Sequence, residues 1–130
     1  MNNDIYGTVP KGGTATCLAR IVGEDAAAIN QASISTATYS VFLLDEHDPD
    51  ARTTISGHNG ESLSVSTIIF NSLQTDARWT VDVTGYNFRH TIDVSTNVAF
   101  AVAGRSYLLE YRLMPVSGQV IVVRFRLNCV

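Results

Sequence analysis

Lysine is nearly missing from this chain. Eight of its nine basic residues are arginine, and Lys11 stands alone. Set against twelve acidic residues, they leave a net charge of −3. With no basic excess to neutralise phosphates, a nucleic-acid partner is not expected. Long apolar runs are missing too: none approaches the ~20 residues that span a bilayer, so no membrane partner is expected. The opening residues, MNNDIYGTVPKGG, contain no charged segment followed by an apolar one, which argues against a signal peptide and for a chain made in a cytoplasm. Cysteine is confined to Cys17 and Cys129, near opposite ends, without CxxC or zinc spacing. They read as two small buried thiols kept reduced, the alternative being a staple between first and last strands.

Catalytic signatures are equally sparse. There is no GxSxG elbow, and Lys11-Gly12-Gly13-Thr14 lacks the upstream glycine of a phosphate loop. The three histidines, His47, His58 and His90, fall in no HExxH or paired spacing. Asp45-Glu46-His47-Asp48-Pro49-Asp50 gathers carboxylate oxygens of the kind Ca²⁺ needs, yet it has neither the EF-hand spacing nor its glycine. Asp82 and Asp93 flank an aromatic run and are the right groups for glycoside hydrolysis with a histidine nearby, although nothing in the sequence makes them converge. The expectation is therefore no enzyme, no cofactor and no metal.

What is present is β-strand periodicity. At 130 residues the chain has room for one domain with a real core. Residues 1–13 carry no apolar period and read as an extended N-terminal arm; residues 14–130 read as the folded domain. Thr14 to Val22 puts Cys17, Ala19 and Ile21 on one face. Gly23 to Ala28 reads as a loop with weak helical tendency, and Ile29 to Ile34 as a short strand. Thr38 to Leu44 is apolar on both faces, as a central strand is. Thr53 to Ser56 and Glu61 to Val65 flank Gly57-His58-Asn59-Gly60, which suggests a hairpin. Ser66 to Leu73 fits a helical turn or an irregular crossover as well as a strand. Trp79, Val81 and Val83 alternate with Thr80, Asp82 and Thr84 in the pattern of a half-buried strand, followed by a bend at Gly85. Ser106 to Met114 and Gln119 to Leu127 form a long hairpin across Pro115-Val116-Ser117-Gly118, with Glu110 and Arg112 placed to pair with Arg124 and Arg126.

About seven short strands with regular turn signals describe an all-β protein, an antiparallel sandwich. Phe100, Gly104 and Tyr107 resemble a corner entering the penultimate strand of an immunoglobulin-like sandwich, where a tyrosine hydroxyl bonds to loop backbone. Jelly-roll or barrel closure is the lesser alternative.

The phrases YSVFLLD, SVSTIIFNSLQTDARWTVDVTGYNFRH and GRSYLLEYRLMPVSGQVIVVRFRL, in that order, resemble small immunoglobulin-like structural domains of tailed bacteriophages. They are similar in particular to N-terminal domains of baseplate upper proteins and to related neck, tail and decoration proteins. The likeness covers roughly residues 38 to 127. It implies a non-enzymatic virion protein whose partners are other virion proteins and further copies of itself, in the neck, tail or baseplate, or as capsid decoration. Three contact regions follow from that implication. The arm from Asn2 to Lys11, with Asp4 and Tyr6, would lie on a neighbour. The loop from Asp45 to Arg52, with Asp48 and Asp50, would supply charge complementarity. Tyr86, Phe88 and Arg89 would act as anchors, whereas Trp79 reads as core. A carbohydrate- or cell-surface-binding module, with Trp79 or Tyr86 stacked on a sugar, is the alternative from another class.

Overall fold

The structure, a computed structural model, describes residues 5–23, 27–48 and 50–130. It is mostly β, with 48% strand and 6% helix, arranged in two sheets. In chain order the elements are β1 (Ile5–Val9), β2 (Thr16–Ala19), β3 (Ile34–Leu44), β4 (Arg52–Thr54), β5 (Glu61–Leu63), α1 (Val65–Ile68), β6 (Ile69–Gln74), β7 (Tyr86–Thr91), β8 (Ser106–Pro115) and β9 (Ile121–Cys129). The larger sheet has the order β1-β9-β8-β3-β4, with β5 also on β3; the smaller is β2-β7-β6.

The expected long hairpin is present: β8 and β9 pair antiparallel from Ser106↔Asn128 to Leu113↔Ile121. Its inward residues Tyr107, Leu109, Tyr111 and Leu113 are essentially inaccessible, as strict alternation requires when one face meets another sheet. β3 lies beside β8 as a central strand, with Tyr39 and Val41 inward. From the opposite sheet, Phe88 meets Tyr111 edge-on at 4.9 Å between centroids and lies 6.2 Å from Phe125. These rings lock the two layers together, and each fully buried aromatic contributes about 1.5–3 kcal/mol by burial alone. Cys17, Ala19 and Ile21 share the buried face anticipated for them, and both cysteines are free and buried.

Four expectations change. Residues 5–9 of the arm are not a free extension: β1 runs parallel to β9 in this chain's own sheet, from Ile5↔Phe125 to Val9↔Cys129. Gly7 makes that approach possible, since a Cβ there would meet Leu127 Cδ2 at 3.1 Å. The segments flanking Gly57–Gly60 do not pair with each other. β4 and β5 both pair with β3, at Leu44–Phe42 and Tyr39–Ala37, as one edge strand interrupted by a loop. That loop is pinned because its His58 is buried.

The third change concerns residues 79–83, which form no strand. Val81 and Val83 are exposed, and the chain there follows turns closed by Asp82, while the strand itself is Tyr86–Thr91. In the fourth, Gln31–Ser33 is a 3₁₀ turn between Asn30 and the start of β3. The Asn30 side chain accepts from Ser33 N–H and the Ser33 hydroxyl accepts from Asn30 N–H, an alternative to strand pairing. The open choice at 66–73 resolves into both forms, α1 and then β6. Of the loop 23–28, residues 24–26 lie outside the described residues; Val22 and Ala28 bridge antiparallel across it. No helix among the described residues is long and apolar enough to cross a membrane.

Candidate interaction surface

The inner face of the larger sheet is core; its outer face is not covered by the smaller sheet. Alternation along β8 and β9 therefore decides what this outer face shows: Leu108, Glu110, Arg112 and Met114 from β8, and Val122, Arg124 and Arg126 from β9. Glu110 is at the centre and only 5% exposed. Its Oε1 accepts from Arg112 Nε at 3.2 Å and its Oε2 from Arg124 Nε at 3.2 Å, with Arg52 Nη1 at 3.7 Å from Oε2. Arg52 reaches this point from β4 by lying over the Phe42 ring, 4.1 Å from its centroid. One carboxylate is thus ringed by three arginines whose side chains stay 41–59% exposed. The pairing of Glu110 with Arg124 follows from register; the contribution of Arg52, on a different edge, does not.

A second polar cluster lies between the sheets. His58 Nε2 faces the Asn97 carbonyl at 2.8 Å, so this nitrogen must carry a proton, and Nδ1 lies 2.7 Å from the Tyr39 hydroxyl. His90 Nδ1 is 2.7 Å from the Tyr111 hydroxyl, and its ring lies against Tyr39 at 4.9 Å. Burial, and secondarily the neighbouring His58, pull the His90 pKa down to about 4. Burial raises the Cys17 thiol to about 12, partly offset by a hydrogen bond with Tyr111, and raises Tyr39 and Tyr111 as well. His90, Cys17, Tyr39 and Tyr111 are thereby held neutral at pH 7. They act as hydrogen-bonded core, packed behind β3 and β8.

The third region is the loop from Thr75 to Gly85. Asp82 accepts from Trp79 Nε1, Arg20 Nη1, Gly85 N–H and Thr84 N–H, and these donors hold its pKa far below the carboxylate norm. Trp79 is half-buried on Tyr86, and the Tyr86 hydroxyl donates to Asp76 at 2.6 Å. Asp93 is engaged locally with Ser95. Each carboxylate is thus committed to its own turn.

The expected contact residues separate accordingly. Asn2 and Asp4 lie outside the described residues. Tyr6 is 69% exposed on β1, and Lys11 is exposed in the following turn, its N–H bonded to the Val130 carbonyl. Asp45 accepts from the N–H groups of His47 and Asp48, which lower its pKa; Asp48 accepts from Asp50 N–H, and all three aspartates are exposed. Pro49 lies outside the described residues. Tyr86 and Phe88 are the correction. Both are wholly buried, because Gly85 starts the strand and turns both rings inward, so neither reaches a partner. Arg89, pointing the other way, is half-buried over Phe70. Between them Asn87 is buried too, exchanging bonds with Ile21 N–H and C=O and donating to Ile29 C=O.

No group of three or more His, Cys, Asp or Glu side chains that could hold a metal ion occurs among the described residues. No family model, no curated protein and no solved structure matches the chain.

Proposed function

We propose that this chain is an immunoglobulin-like, non-enzymatic structural protein of a tailed-phage virion, assembling with copies of itself and other virion proteins in the neck, tail or baseplate. Capsid decoration is the alternative within that class. Strand order supports the immunoglobulin-like assignment: β9, β8 and β3 correspond to a GFC sheet extended by β4, and β2, β7 and β6 to strands B, E and D of its partner. The Tyr107 hydroxyl accepts from Val102 N–H at 3.0 Å at the entry to the penultimate strand, as a tyrosine corner does. Two residues further on, Leu109 is buried where disulfide-pinned members of that class carry their second cysteine. Packing thus replaces the covalent pin here.

The observation that carries the assembly reading is the outer face of the larger sheet. Arginine, methionine and aromatic side chains there (Arg112, Arg124, Met114 and, on β1, Tyr6) have the composition enriched at protein interfaces. The virion setting comes from the resemblance of residues 38 to 127. The test is solution mass by light scattering across a concentration range. A discrete species of several copies is expected, and a strict monomer at every concentration would overturn the assembly reading.

One observation favours the carbohydrate-binding alternative. A groove of about 340 Å³ between β1 and β2 is lined by Tyr6, Thr14, Thr16, Arg78 and Trp79, an aromatic and hydroxyl mixture suited to a sugar. A monomer that retains one glycan on a glycan panel, and loses it on Trp79→Ala, would support that reading.

A further inference from the structure

The arginine-rich sheet face has a complement on the same chain, centred away from Arg112 and Arg124. Among the described residues, three arginines (Arg52, Arg112 and Arg124) gather on this face around a single carboxylate, Glu110. That cluster of three arginines and one carboxylate carries +2, while the chain as a whole carries −3, so −5 falls on the remainder. The densest part of that remainder is the turn between β3 and β4, with Asp45, Glu46, Asp48 and Asp50.

Glu46 is paired to Arg105 at 3.1 Å, and the same arginine also acts on Asp45, whereas Asp48 accepts only from the Asp50 N–H and Asp50 makes no ion pair among the described residues. The turn follows the end of β3 and begins five residues beyond Ser40, the cross-strand neighbour of Glu110. A strand rises ~3.3 Å per residue, so the turn and the centre of the arginine face are separated by more than ~10 Å along the sheet. Arg52 borders both surfaces, but Arg112 and Arg124 lie beyond the reach of the turn within one copy.

We propose that the acidic turn of one copy docks on the arginine face of the next, joining copies head to tail. Arg112 and Arg124 contact Glu110 through Nε, so their terminal NH₂ groups lie outside those bonds and suit a second carboxylate. Because the two patches differ, the contact is heterologous and generates a ring or a filament according to its rotation. The inference rests on the assembly reading and names the surfaces that carry it. It also makes association salt-sensitive, since exposed charges are screened beyond ~10 Å at 0.1 M ionic strength.

The experiment is sedimentation velocity of the full chain at 20–50 mM and at about 500 mM salt, with two variants: Arg112→Glu, and Asp48→Lys combined with Asp50→Lys. The second alters an exposed turn alone and so remains informative if the first folds poorly. Wild type should associate at low salt and dissociate at high salt. Each variant alone should weaken association by about tenfold or more, and an equimolar mixture of the two should restore it, because the reversed face then meets the reversed turn. Association of wild type that neither variant weakens would overturn the docking while leaving assembly standing. A wild type that stays monomeric throughout would overturn both. Monomers that instead bind a single-stranded oligonucleotide through Arg112 would show a nucleic-acid surface and overturn the docking.

Discussion

The Tyr107 hydroxyl, at the first inward position of β8, accepts a 3.0 Å hydrogen bond from the backbone N–H of Val102. Tyr107 is buried, its ring edge-on to Phe100 at 5.3 Å, so this one side chain ties the 100–105 loop to the core of the larger sheet. Tyr107→Phe keeps the ring and removes only the acceptor. It should cost about 1 kcal/mol in denaturant unfolding, because Val102 is exposed enough for water to replace the lost partner in part.

His90 predicts a specific pH dependence. Its pKa falls from an ordinary 6.5 to about 4 on folding, so between those values the unfolded chain binds more protons than the folded one. The stability associated with a neutral His90 is complete above pH 6.5 and is lost as pH falls toward 4, by roughly 2 kcal/mol after a discount for its partial exposure. The depressed Asp45, Asp76 and Asp93 act only lower, as pH drops below their ordinary 3.8. Urea midpoints measured from pH 7 to 4 should therefore slope downward in wild type and flatten in His90→Gln. An unchanged slope would show that another group titrates in that window.

Two glycines separate backbone strain from steric exclusion. Gly85 has φ +104°, and a Cβ there would lie 2.4 Å from the Gln74 carbonyl oxygen; Gly60 has φ +63° with open space around it. Gly60→Ala should cost about 1 kcal/mol, the left-handed backbone penalty alone. Gly85→Ala must also move β6 away from the start of β7, so roughly 3 kcal/mol is expected from thermal or chemical unfolding.

Asp82 holds the 75–85 loop through four donors, one of them the indole N–H of Trp79. Asp82→Ala should release the indole, shifting the emission of the only tryptophan to longer wavelength while the far-ultraviolet β signal stays. Emission that does not move would mean that packing against Tyr86 alone positions the ring.

Local pattern made the β8–β9 hairpin, the central β3 and the buried face of β2 legible, because each needs only alternation along a strand and a turn beside it. The same rule misled at Trp79–Val83. Alternation there has no partner strand, and Asp82 offers the backbone a competing set of bonds that closes turns. Tyr86 and Phe88 read as anchors from residue type alone, since a bend at Gly85 does not say which way the rings turn, whereas both are buried and even the intervening Asn87 is bonded to the backbone of Ile21 and Ile29.

By itself the sequence determined the all-β character, the two-layer core and a hairpin that sets Glu110 and Arg112 against Arg124 and Arg126, since period is a property of neighbouring residues. Only the tertiary structure decided that β1 closes on β9, that β4 and β5 share one edge of β3, and that Arg52 joins Glu110. Those depend on which distant strands lie side by side, a choice made by the burial and fit of the whole core, to which no single stretch of the chain holds the key.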